Sequence, residues 1–257
     1  MLNFIQSNYK WWYILSFHFK RSLVYRAVYF AMVIRYLVPV AILLTVFYTS
    51  GNSKPVAYYL LATMFFYIFT LPMNISYEMK DGVLFGKYVK LLILPINLKL
   101  FLLFQSIGIM LVPFLIRLAI FLGLFWFFQV PLAWDLNAFM GVFTAVIFGI
   151  LIGFVSELLI GVSSFVLPDN KFLLQAYQDI VELLAGGILP LVDSLGFLSY
   201  LPLSFAVFHP IQIYYGNYNL SQQISVFTTG LAWFFSLYAL SNYLFRLGLK
   251  KFEGVGL

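Results

Sequence analysis

The chain has no cysteine, so neither a disulfide framework nor a thiolate metal site is open to it, and cysteine usage marks no redox compartment. Charge is nearly as scarce. Only 9% of the 257 residues are Asp, Glu, Lys or Arg, too little polar surface for a water-soluble globule of this length. With two histidines in all, no histidine metal cluster can be assembled. What fills the space is apolar: 63% of the residues are hydrophobic and 21% aromatic, and the mean hydropathy is +0.97. The bilayer is therefore the expected solvent. The net charge of +6 does not point to nucleic acid, because the charges fall at the ends of apolar runs.

Runs long enough to cross roughly 30 Å of hydrocarbon at about 1.5 Å per residue lie near 27–48, 55–75, 100–128, 138–167 and 222–245. A sixth, near 172–192, is interrupted by Asp179 and Glu182. No cleavable signal pattern precedes them, because Lys10, Lys20, Arg21 and Arg26 are spread among Trp11, Trp12, Tyr13 and Phe17. That mixture predicts a helix over about 8–26 lying in the headgroup layer, with Trp11, Leu15, Phe19 and Leu23 on one face.

Residues 193–216 are greasy enough to be counted as a seventh span, and charge asymmetry argues against it. With six spans, one side holds Lys10, Lys20, Arg21, Arg26, Lys80, Lys87, Lys90, Lys99, Lys171, Arg246, Lys250 and Lys251, and the other only Lys54. By the positive-inside rule both termini are then cytoplasmic, and a seventh span would strand Arg246, Lys250 and Lys251 on the wrong face. Pro202 and Pro210 split 193–216 into pieces too short to cross. The segment is expected to dip in and return, buried against protein or lining a cavity, as a gate on the outer side.

Residues 76–99 pack Glu78, Lys80, Asp81, Lys87, Lys90 and Lys99 between two apolar runs on the cytoplasmic side. Val83, Leu84, Phe85, Tyr88 and Val89 add an apolar surface at helical spacing, a knob suited to a groove in a soluble partner. The alternative is a helix resting on lipid with its lysines near anionic headgroups. Pro95 then re-aims the chain into the third span. Gly82-Val-Leu-Phe-Gly86-Lys87-Tyr88 is one residue short of a phosphate loop and lacks its Ser or Thr, so no ATP site is read there. Asn74 and Ser76 form a glycosylation sequon that this topology turns to the cytoplasm.

Charges within spans are costly and usually face protein or water. Depth estimates place Arg35 level with Glu157 and Arg117 nearer Glu182, with Asp179 on the same span as Glu182; two buried pairs are expected, unless tilt makes the matches accidental. Gly141, Ala145, Gly149, Gly153, Glu157 and Gly161 recur every four residues, a stripe that reads as a packing seam with Glu157 structural rather than as a substrate path. For His209 a helix-end hydrogen bond competes with a proton-sensing role.

The chain resembles the type-2 ATP-binding-cassette permeases, in a poorly characterised branch. The resemblance is carried by Gly82 and Leu91-Leu92-Ile93-Leu94-Pro95-Ile96-Asn97, by Gly187-Ile188-Leu189-Pro190-Leu191 and by Leu201-Pro202-Leu203-Ser204-Phe205. It continues through His209-Pro210-Ile211, Tyr215-Gly216 and Gly248-Leu249-Lys250-Lys251-Phe252-Glu253-Gly254-Val255-Gly256. It implies an all-α polytopic membrane protein of six transmembrane helices: a single permease domain over 1–257, with an N-terminal interfacial helix, a coupling helix within 76–99 and a re-entrant segment between spans five and six. Its gate would be built from Pro190, Pro202, Phe205, His209 and Pro210.

The resemblance also implies that two such subunits, more often different than identical, pair in a bacterial cytoplasmic (inner) membrane above two ATPase subunits. ATP and Mg would be bound by those partners and no cofactor by this chain, which is then no enzyme by itself. Coupling to the ATPase would fall to Glu78, Lys80, Asp81, Gly82, Val83, Phe85, Lys87, Tyr88, Val89 and Pro95. Short outer connections, with no docking domain for a binding protein, favour export. A stand-alone secondary transporter or channel would want internal repeats and a charge relay, and a membrane-embedded enzyme a clustered nucleophile, base or metal set; neither pattern is present.

Overall fold

A chain with little water to satisfy its backbone must pair its N–H and C=O groups internally, and in the computed structural model every described element is a helix or a 3₁₀ turn. The structure describes residues 2–24, 54–70, 74–86, 96–128, 136–167, 170–184 and 196–251, with isolated positions between 29 and 45. The helices are α1 (Leu2–Ser22), α2 (Lys54–Phe69), α3 (Ile75–Leu84), α4 (Leu98–Phe127), α5 (Leu136–Val162), α6 (Lys171–Leu184), α7 (Phe208–Tyr214) and α8 (Leu220–Lys251). Short 3₁₀ turns follow α5 at Ser163–Phe165 and precede α7 at Gly196–Tyr200 and Pro202–Phe205.

Among the described residues, three stretches are long and apolar enough to cross a membrane: Leu98–Phe127, Leu136–Phe165 and Leu220–Lys250. They match the spans expected over 100–128, 138–167 and 222–245 to within a few residues. The start of α4 is fixed by Asn97, whose side-chain oxygen accepts from the Lys99 N–H at 3.0 Å and the Leu100 N–H at 3.3 Å. The expected second span, 55–75, is shorter: α2 ends at Phe69 and a new helix begins at Ile75. Pro72, a residue type that lacks an N–H and disfavours helical geometry before it, falls in the sequence between the two helices. Within the expected fifth span, α6 covers 14 residues and is apolar on one side only. Most of the expected first span, 27–48, lies outside the described residues, as do 185–192.

The first helix, α1, leans on the first three turns of α4. Trp11 stacks on Phe104 at 5.5 Å, and the Ser22 hydroxyl donates to the Ile109 carbonyl at 2.9 Å. Gly108 permits the approach: a Cβ there would stand 2.7 Å from the Leu15 carbonyl oxygen. The seated face therefore runs through Trp11, Leu15, His18 and Ser22, whereas Leu23 of the expected face is exposed. Tyr9, Trp12, Tyr13 and Phe17 remain outward, an aromatic set suited to the interface.

Helix α5 is the centre of the fold. One apolar cluster joins Ile75, Met79 and Val83 of α3 to Phe154, Val155, Leu158 and Val162 of α5. A second joins α5 to α8 and the 3₁₀ turn at Phe205 through Phe148, Ile152 and Val226.

Candidate functional site

The sequence of α3 alternates two demands. Ile75, Met79 and Val83 recur every four residues and fall on one helical face, which is buried together with Ser76 and Gly82. Glu78, Lys80 and Asp81 occupy the remaining, half-exposed surface. The apolar surface expected from Val83 through Val89 is thus split. Val83 turns into the core, while Leu84 and Phe85 stand out at the tip, Phe85 with 65% of its surface open. The helix ends there, and Gly86 takes φ +64°, a left-handed turn that glycine adopts without a Cβ penalty. Lys87, Tyr88, Val89 and Pro95 lie outside the described residues.

The other end of α3 is held from α5. Asn74 is the N-cap residue but makes no side-chain cap bond. Instead the Ser76 N–H, one of the donors a helix start leaves unpaired, donates to Glu157 Oε2 at 3.0 Å. Both residues are fully enclosed. The second oxygen, Oε1, has no hydrogen-bond partner among the described residues. Arg35, its expected partner, lies outside them.

One turn further along α5, Gly161 takes the Met79 side chain, whose sulfur would be 2.6 Å from a Cβ there. On the neighbouring side α6 reaches α3 through the Tyr77 hydroxyl, which donates to Gln178 Oε1 at 3.2 Å. Burial, then the Glu157 and Asp179 carboxylates, push the Tyr77 phenol up, so it keeps the proton it donates. Asp179 itself is exposed. The side chain of Glu182 is outside the description. Arg117, its expected partner, stacks its guanidinium over Tyr67 at 4.1 Å.

The small-residue stripe is a seam, and the structure names what docks along it. A Cβ at Gly153 would stand 2.9 Å from the Phe69 carbonyl oxygen, one at Gly149 2.8 Å from the Phe205 carbonyl oxygen, and one at Gly141 2.8 Å from Ile213 Cγ2. Along α5, Glu157 and Gly161 therefore receive α3, Gly153 the end of α2, Gly149 the 3₁₀ turn, and Gly141 helix α7.

The segment 193–216, where described, is three short pieces of five, four and seven residues; Pro202 falls at a break as expected, whereas Pro210 sits inside the first turn of Phe208–Tyr214. Pro202 opens its turn at the first position. Phe205, His209 and Pro210 are buried, and the Phe205 and His209 rings lie 4.7 Å apart. His209 Nε2 lies 3.0 Å from the Ser199 carbonyl, which can only accept, so Nε2 carries the proton and Nδ1 accepts from the Tyr218 hydroxyl at 3.2 Å. Burial pushes the imidazole down to about 4, so it is neutral in this bonding. Pro190 is outside the described residues.

Residues 29–256 match the sequence profile described as ABC-2 family transporter protein. The chain belongs to that family. As an ABC-2 family transporter protein it is the membrane permease component of an ABC transporter, a class that works with ABC ATPase subunits. No curated protein and no solved structure matches the chain. Sequence reasoning named Glu157, Leu84 and the seam but missed Met79 and Tyr77. The repeat Ile75, Met79, Val83, continued one turn before the charged stretch, is the signal that finds the buried face of α3.

Proposed function

We propose that this ABC-2 family transporter protein is the transmembrane subunit of an ATP-driven exporter, which forms the translocation path with a second permease and is driven by two cytoplasmic ATPase subunits through α3. On this reading both termini face the cytoplasm of a bacterial cell bounded by its inner membrane, and ATP and Mg are held by the partners. The observation that carries the reading is the divided surface of α3: one face seated on α5 through Ile75, Met79 and Val83 and capped by Glu157, and an open tip at Leu84 and Phe85. A helix firmly held at one end and apolar at its exposed tip is what a groove in a soluble motor can push against. The spacing along α5 supports the same reading. Gly161 lies twelve residues from Gly149, about 18 Å along the axis, so a displacement of α3 reaches the Phe205 turn through one continuous helix.

The test is Phe85→Asp. A carboxylate there must be desolvated in any apolar groove, at a cost of several kcal/mol. The ABC ATPase subunit should no longer co-purify with the tagged permease, while the permease still inserts at its normal level. Undiminished co-purification would leave α3 a connector resting on lipid.

A further inference from the structure

Where the turn Gly196–Tyr200 and helix α7 meet the first turns of α8, they enclose a cleft of about 160 Å³. Tyr200, His209, Tyr218, Gln222, Ser225 and Thr229 line it, and among the described residues no Asp, Glu, Lys or Arg does. His209 is spent on Ser199 and Tyr218. By contrast, Gln222 uses only its carbonyl oxygen, accepting from the Asn219 N–H at 2.8 Å, so its two amide N–H groups have no bond among the described residues; nor does the Ser225 hydroxyl. Tyr200 stands 72% exposed at the rim, and the Trp233 ring N–H anchors its carbonyl at 2.8 Å.

Depth gives the cleft its setting. Helix α8 has 32 residues, about 48 Å at 1.5 Å per residue, some 18 Å more than the hydrocarbon it crosses. With Arg246 to Lys251 taking about 9 Å of it at the far end, the rest of the surplus covers the first six residues, LSQQIS, which hold four amide or hydroxyl side chains and no charge. Such a stretch would be costly in hydrocarbon and is at home among headgroups, beside the interfacial Tyr200, Tyr218 and Trp233.

We propose that this cleft binds an uncharged, hydroxyl-rich group, a hexosyl or glycerol headgroup carried on a lipid. Amide and hydroxyl groups supply donors and acceptors, tyrosine faces supply a platform for a sugar ring, and the lack of charge selects against anionic headgroups. The inference does not rest on the transport reading, because the purified chain alone can test it.

The full chain is purified in a detergent without a sugar headgroup, since alkyl maltosides would occupy the cleft, and placed in phosphatidylcholine nanodiscs. Melting temperature is compared with added monoglucosyl diacylglycerol, plain diacylglycerol or phosphatidylglycerol, and with free glucose. The glycolipid should raise it by at least about 2 °C over diacylglycerol, as ligand linkage requires. The gain should vanish in Gln222→Glu/Ser225→Ala, both exposed positions, since glutamate keeps the oxygen that accepts from the Asn219 N–H and loses the amide donors. An equal gain from free glucose alone would keep the chemistry and assign a soluble source. A gain that survives the double substitution, or is matched by diacylglycerol or phosphatidylglycerol, overturns the proposal.

Discussion

Glu157 spends one oxygen on a backbone N–H of a different helix, and that bond ties α3 to α5 inside a fully enclosed site. Glutamine retains an accepting oxygen at the same reach, whereas leucine leaves the Ser76 N–H buried and unpaired. Glu157→Leu should therefore cost about 1–3 kcal/mol and raise hydrogen exchange across Ile75–Leu84, while Glu157→Gln stays near wild type. A loss as large in Glu157→Gln would mean that the charge, through the proposed pairing with Arg35, matters more than the cap. His209 makes a pH prediction. Its imidazole titrates near 4 when folded and near 6.5 when unfolded. Its contribution is complete above the unfolded value and declines as pH falls from 6.5 toward 4, where the unfolded chain binds the extra proton. Acidification from pH 7 to pH 5 should cost the wild type roughly 1–2 kcal/mol, read as a lowered melting temperature, and His209→Gln should lack that part of the slope.

At the scale of elements, α5 is the member against which the others are registered. Its seam was legible in the sequence, because small residues four apart make one face of a helix whatever they pack on. Which segments fill it was not legible, since the contacts are to the Phe69 and Phe205 backbone carbonyls, and a carbonyl leaves no mark in a sequence. Those contacts are rigid. Gly153→Ala must move the Phe69 backbone and should cost about 1–3 kcal/mol. Gly123→Ala, on α4 with nothing within 4 Å of the new Cβ, should be neutral or stabilising by up to about 1 kcal/mol in the same thermal assay. Equal effects at the two positions would show that the close approach carries no energy.

At the scale of the molecule, composition alone set the solvent, and hydropathy drew the three long helices nearly to their ends. Of the prolines in 193–216, Pro202 marked a break. Less legible was the placement of short amphipathic helices: α1 seats His18 and Ser22 rather than Leu23, and α3 buries Val83 rather than presenting it. In α1 the register follows Gly108 on the facing helix, which lets Leu15 come close, and no local pattern in α1 encodes that; in α3 the Ile75, Met79, Val83 repeat marks the buried face and Gly161 makes room for Met79. Coupling through the tip of α3 has a direct measurement, made clean by the lack of any cysteine in the chain. Phe85→Cys, carrying a short photoactivatable crosslinker and irradiated in native membranes, should yield one major adduct whose partner peptides belong to an ABC ATPase. The same label at Phe172, exposed on α6, should not. Adducts to lipid alone at Phe85, or labelling of Phe85→Cys by an impermeant maleimide from outside the cell, would contradict the coupling role.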